Sequence, residues 1–90
     1  MTIYKYEFAI DDRVTISLPK SHRILKVEKQ YNQDPGRACL WVLVDTESRM
    51  EENAFRIYGT GHPIDRMDIQ DHVATWQAPP FVWHMFRAAN

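Results

Sequence analysis

The sequence has few of the residues that cross-link small domains or bind metals in them. Its 90 residues include one cysteine, Cys39, which cannot form an internal disulfide and fits a reducing compartment. Its four histidines and Cys39 show neither Cys-x-x-Cys nor His-x-x-x-His spacing, which argues against zinc. We therefore expect no bound metal and no cofactor.

Long apolar segments and an excess of one charge are missing too. No apolar run approaches the roughly 20 residues that span a bilayer, and the first residues lack the apolar stretch of a signal peptide. The net charge is −1, and the one basic cluster, Lys20, Arg23, Lys26 and Lys29, is more typical of a solvated face than of a nucleic-acid surface. We expect neither a membrane nor a nucleic acid as partner.

What the sequence does have is alternation of apolar and polar residues, interrupted by turn residues at short spacing. This pattern is typical of strands that bury one face. Predicted strands begin near Tyr4, Val14, Arg23, Ala38, Phe55, Val73 and Phe81. The sequence predicts one all-β domain over residues 1–90, a small antiparallel β-sandwich or partly open barrel of about seven strands.

Local signals also predict how some strands are connected. The first two strands are expected to form a hairpin through Asp11-Asp12. Residues 23–31 fit both a helical stripe and a strand, and we predict a strand because the turn-rich residues 32–36 follow. Residues 38–44 are apolar on both faces, which indicates a central strand covered on both sides.

The last predicted strand, residues 81–86, is also apolar on both faces, although it lies at the end of the chain. Either it is central in its sheet, which we favour, or its second face is buried in a partner, as in a homodimer. His84 is expected to be a half-buried, hydrogen-bonded imidazole, and Trp76 an exposed aromatic. The candidate interface residues are Trp76, Phe81, Val82, Trp83, His84 and Phe86.

No constellation of residues points to catalysis. Cys39 lies in an apolar strand, where burial raises the pKa of a thiol. The serines lack a Gly-x-Ser-x-Gly elbow, and adjacent carboxylates such as Glu51-Glu52 fall in predicted turns. We therefore predict a protein that is not an enzyme and has no catalytic residues.

One string could form a ligand site after the fifth strand. Two glycines around a threonine can expose successive backbone N–H groups as an anion-binding nest, to which neighbouring basic side chains add charge. The candidate binding residues are Arg56, Tyr58, Gly59, Thr60, Gly61 and His62. The alternative, which we prefer, is a tight turn or bulge that needs a positive φ twice.

Two strings, Tyr58-Gly59-Thr60-Gly61-His62 and Phe81-Val82-Trp83-His84, carry a resemblance to a family of small uncharacterised proteins encoded by bacteriophages. The resemblance implies a compact β domain in the cytoplasm of a bacterial host, without an assigned activity. Small phage proteins of this kind often act by binding. The expected function is therefore to bind a host protein complex and thereby inhibit a defence system, as anti-CRISPR proteins do. The alternatives are a small-ligand or nucleotide sponge and a minor virion or assembly protein.

Overall fold

The alternating pattern produces seven strands in the computed structural model, which describes residues 1–29, 34 and 36–89. One short 3₁₀ helix, Arg66–Asp68, precedes the sixth strand. The described part of the chain contains no helix long and apolar enough to cross a membrane. The strands are β1 (Thr2–Ala9), β2 (Arg13–Pro19), β3 (His22–Lys29), β4 (Arg37–Val44), β5 (Met50–Gly59), β6 (Ile69–Ala78) and β7 (Phe81–Ala88).

The strands form two antiparallel sheets, which confirms the predicted all-β fold. The three-stranded sheet has the order β1-β4-β3, and the four-stranded sheet has the order β2-β5-β7-β6. The predicted strand over residues 23–31 is confirmed for His22–Lys29, and it pairs with β4 as expected. The end of that prediction, at residues 30–31, and most of the turn after it lie outside the described residues.

The predicted hairpin between the first two strands is wrong, because β1 and β2 belong to different sheets. Phe8 lies opposite Ala38 of β4, whereas Val14 lies opposite Phe55 of β5. The connection between β1 and β2 forms backbone hydrogen bonds toward both sheets. Ile10 N donates to Gly36 O, just before β4, at 2.7 Å, and Ile57 N of β5 donates to Asp12 O at 3.1 Å. Alternation identifies the buried face of a strand but not its partner, so it could not reveal this crossing.

The core lies between the inward faces of the two sheets. The ring of Phe8, in the three-stranded sheet, packs edge to face against the ring of Trp76, in the four-stranded sheet, with 6.3 Å between ring centres. Trp76 is only 4% exposed, so the expectation that it is an exposed interface residue is wrong. The other buried residues of this core are Val14, Ile16, Leu18, Val27, Ala38, Leu40, Val42, Val44, Phe55, Ile57 and Met85.

The strand β7 is central, as favoured from the sequence, since it lies between β5 and β6. Both of its backbone edges are paired, so it has no free edge to offer a second copy of the chain. Met85 is fully buried and Trp83 packs against the core, so Trp83 is not an outward interface residue. The strand's outward side chains are Val82, His84 and Phe86.

The two methionines Met85 and Met67 offer a matched test of this core. Met85 is 0% exposed and Met67 is 76% exposed. We expect Met85→Ala to lower the free energy of unfolding by about 2–5 kcal/mol, because it leaves a cavity between the sheets. Met67→Ala should change it by less than about 0.5 kcal/mol. Urea unfolding followed by circular dichroism measures both, and equal effects would contradict the assignment of Met85 to the core.

Candidate functional site

The outer face of the four-stranded sheet gathers polar and aromatic side chains from all of its strands. The register aligns Arg13, Arg56, Phe86 and His72 in one row across the sheet. The next row contains Tyr58, His84 and Thr75. We call this surface the polar face, and its residues are Arg13, Arg56, Tyr58, Thr60, His72, Thr75, His84 and Phe86.

A β-bulge brings two of these side chains together. In a regular strand, residues three positions apart point to opposite faces. The register of β6 shifts between His72 and Ala74, so His72 and Thr75 both lie on the polar face, and His72 Nε2 lies 2.9 Å from Thr75 Oγ1. Extra residues of this kind commonly redirect a side chain.

Hydrogen bonds join four of the side chains into a chain that runs from Thr60, just after β5, across β7 to β6. His84 Nε2 lies 2.8 Å from Thr60 Oγ1, and His84 Nδ1 lies 3.0 Å from Thr75 Oγ1, which in turn contacts His72. A neutral imidazole donates from one nitrogen and accepts at the other, and a hydroxyl can do either. The prediction of a half-buried, hydrogen-bonded His84 is confirmed.

Aromatic and cationic groups continue the polar face toward β5. The Arg56 guanidinium lies 5.9 Å from the Tyr58 ring centre. The Phe86 ring contacts Tyr58 and His72 edge to face, at 6.3 Å and 5.3 Å between ring centres. Arg56 Nη2 is 3.9 Å from Asp68 Oδ2. Two shielded atoms, Arg56 Nε and the Tyr58 hydroxyl, have no hydrogen-bond partner among the described residues.

The glycine string forms a closed turn rather than an open nest. Gly59 N donates to His62 Nδ1 at 3.1 Å, while His62 N donates to Gly59 O at 3.0 Å and Thr60 N donates to Val82 O at 3.2 Å. Only Gly61 has a positive φ, at 89°, so the turn needs that conformation once and not twice. These backbone donors already have acceptors, which favours the turn over the anion nest.

The predicted binding residues therefore divide into two groups. Arg56, Tyr58 and Thr60 lie on the polar face, whereas Gly59, Gly61 and His62 build the turn beside it. Three further members of the site were not predicted from the sequence: Arg13, His72 and Thr75. Alternation with Val14 could have placed Arg13 outward, but no sequence signal marks the bulge in β6 or shows which strands are neighbours.

The outer face of the three-stranded sheet is a second candidate surface. Ile3 and Leu25 are 56% and 42% exposed, and they line a shallow cavity of about 380 Å³ together with Lys26, Glu28 and Trp41. Leu25 lies at the register shift of β3. Lys5 Nζ lies 5.6 Å from the Trp41 ring centre. We call this surface the Trp41 face, and its residues are Ile3, Lys5, Leu25, Lys26, Glu28, Trp41 and Leu43.

The Trp41 face corrects one expectation from the sequence. β4 is central, as predicted, and its inner side, formed by Leu40, Val42 and Val44, is fully buried. On the outer side, Trp41 and Leu43 are only partly buried. The apolar residues of this second side are therefore not explained by the core of the protein.

The one cysteine of the chain presents its thiol on neither face. Cys39 is buried, and its Sγ donates to Glu28 O at 3.8 Å. Desolvation by burial is the main reason that the pKa of the Cys39 thiol is raised, as predicted from its apolar strand. In the described part of the chain, no three His, Cys, Asp or Glu side chains converge as metal ligands would.

Comparison with known proteins identifies the family of the chain. The profile of a domain of unknown function, DUF7352, matches residues 1–90. The chain belongs to this family. Searches of curated proteins and of solved structures found no match.

The turn after β5 gives a double-mutant test. A Cβ added at Gly59 would lie 2.8 Å from His62 Cε1, so Gly59→Ala should displace the imidazole and break its hydrogen bond to Gly59 N. We expect a loss of about 1 kcal/mol in the free energy of unfolding. In a His62→Ala background, the same substitution should cost little. Urea unfolding of the four proteins tests this, and additive losses would show that His62 does not cover Gly59.

The buried thiol predicts a pH dependence. The folded-state pKa of Cys39 is raised above its unfolded value, so its stabilising contribution is complete below the unfolded pKa and is lost as the pH rises through the folded pKa. Iodoacetamide should label native Cys39 about 100-fold or more slowly than the unfolded chain. Mass spectrometry after timed labelling measures this ratio, and equal rates would place the thiol at the surface.

Proposed function

We propose that this member of the DUF7352 family is not an enzyme and acts by binding another protein through the Trp41 face. The setting proposed is the one that the sequence resemblance implies. The chain would be a phage accessory protein in the cytoplasm of a bacterial host, where it would inhibit a defence complex as anti-CRISPR proteins do.

The observation that carries the proposal is the uncovered apolar side of β4. A central strand with apolar residues on both sides normally has both sides buried, and here the outer side carries Trp41 and Leu43 in partial contact with solvent. Ile3 and Leu25, on the flanking strands, extend this apolar surface. Exposed apolar side chains grouped on one face commonly mark contact sites in soluble proteins.

The distribution of residue types on the Trp41 face also suits a protein partner. Interfaces commonly have an aromatic centre and a polar rim, and tryptophan is enriched among the residues that contribute most binding energy. Around Trp41, the rim includes Lys5 and the ion pair between Lys26 Nζ and Glu28 Oε2, at 3.1 Å. Charges of both signs favour a partner with a mixed polar surface over one that carries charge of a single sign.

A substitution on this face tests the proposal in cells. Leu25→Asp places a carboxylate at a partly exposed position of the Trp41 face, so it should spare the fold and weaken a buried contact by about 2 kcal/mol, or roughly thirtyfold in Kd. Met67→Asp is the matched control, because Met67 is exposed on the short 3₁₀ helix. Circular dichroism confirms that both variants are folded.

The measurement is the plating efficiency of a phage on a bacterial strain that carries a CRISPR–Cas system and expresses the protein. The proposal predicts that the wild-type chain and Met67→Asp restore plating, and that Leu25→Asp does not. Failure of the wild-type chain to restore plating would contradict the proposed target. Equal restoration by both variants would contradict the proposed surface.

A further inference from the structure

We infer that the polar face is a nucleotide-binding site, with the phosphate held by Arg13 and Arg56 and the base placed against Tyr58 and Phe86. This site lies on the other sheet from the Trp41 face, so the inference stands apart from the protein contact proposed there. The inferred ligand lies on the sheet and not in the glycine turn, where the N–H groups of Gly59, Thr60 and His62 already have acceptors.

The position of the two arginines indicates an anion. Arg13 and Arg56 are directly opposite each other on neighbouring strands and point to the same face, an arrangement in which like charges destabilise a sheet. Arg13 forms no ion pair with the described residues, and the contact of Arg56 with Asp68, at 3.9 Å, is long. A phosphate between the two guanidinium groups would remove the repulsion, and its geometry suits their paired donors.

Two polar atoms next to this pair are poorly satisfied. Arg56 Nε and the Tyr58 hydroxyl are both shielded from solvent, and neither has a partner in the described protein. A buried polar atom without a partner is unfavourable, because it has lost its hydrogen bonds to water and gained none in the protein. The Arg56 side chain is partly exposed, so it can turn toward a bound phosphate, and Nε then gains the acceptor that it lacks.

The rest of the polar face suits a base and a ribose. Tyr58, Phe86 and His72 form a continuous aromatic group, and aromatic rings bind bases by stacking with little preference among them. Next to that group, His84 and Thr75 belong to the hydrogen-bonded chain. Their groups can donate or accept, which matches the mixed polar edges of a base and the hydroxyls of a ribose.

The same chemistry could come from a free nucleotide or from one nucleotide of a single strand. The net charge of −1 and a single arginine pair favour the free nucleotide, because affinity for a strand depends on many neutralised phosphates. Adenosine monophosphate, uridine monophosphate, adenosine, inorganic phosphate and a short single-stranded oligonucleotide are therefore suitable probes.

The test is a titration of the isotope-labelled full chain with each probe, followed by the backbone amide signals in NMR spectra. The inference predicts that both monophosphates shift the amides of Tyr58, His84 and Thr75 and leave those of the Trp41 face unchanged. Adenosine and inorganic phosphate should each bind at least about tenfold more weakly than adenosine monophosphate, because each lacks half of the contacts.

Two exposed arginines supply the variant and its control. Arg13→Ala should weaken binding of adenosine monophosphate by roughly tenfold, since it removes one charge-assisted contact. Arg23→Ala makes the same change on β3 of the other sheet and should leave binding unaltered. Neither side chain is part of the core, so both variants should fold.

The outcomes distinguish the possible ligands. Similar affinity for a monophosphate and for the oligonucleotide supports a free nucleotide as ligand, and an oligonucleotide affinity more than about tenfold higher supports a strand that uses the same site. Absence of binding by both monophosphates would overturn the inference. Equal loss of binding in Arg13→Ala and Arg23→Ala, or shifts confined to the Trp41 face, would overturn it as well.

Discussion

The structure depends on two central strands, β4 and β7, whose inward side chains fill the space between the sheets. Leu40 and Val42 of β4 and Met85 of β7 are fully buried. Each strand is paired along both backbone edges, so its backbone polar groups are satisfied while its inward side chains are buried. Because side chains alternate, burying one side of each central strand fixes which residues the other side presents to solvent.

The two outer faces differ in chemistry for this reason. The outer side of β4 is apolar and centres on Trp41, whereas the outer side of β7 carries His84 and Phe86 among polar neighbours. The chain also crosses from one sheet to the other at Asp11-Asp12. The backbone hydrogen bonds of Ile10 and Asp12 tie this crossing to both layers. A chain of 90 residues thereby presents two dissimilar surfaces on one core.

Much of this fold could be predicted from the sequence, because it follows from local patterns. Alternation and turn residues are sufficient to predict the number of strands, the pairing of β3 with β4, and the central place of β7. They are not sufficient for the strand bounds, since Glu51 and Glu52 belong to β5 and not to the turn predicted there. The partners of β1 and β2 could not be predicted, since alternation carries no information on pairing between distant segments. Trp76 shows the same limit: its residue type suits either a core or an interface, and only its packing against Phe8 decides between them.

The candidate site was less predictable than the fold. Arg56, Tyr58 and Thr60 are close in sequence and could be identified together, and the structure favours the tight turn preferred for the glycines beside them over the anion nest. His72 and Thr75 join them only because a bulge changes the face of one residue, and no local signal predicts it. The His62 imidazole lies over Gly59 and accepts from Gly59 N, one of the donors that an anion nest would need.

The most direct test of the central constraint is amide hydrogen exchange measured residue by residue in the native chain. If β4 and β7 are both paired on each side, their amides should exchange only through global unfolding and should be the slowest in the protein. The outer strands of each sheet should include faster amides on their unpaired sides. Exchange in β7 as fast as in an outer strand would contradict its central place, and with it the arrangement of both outer faces.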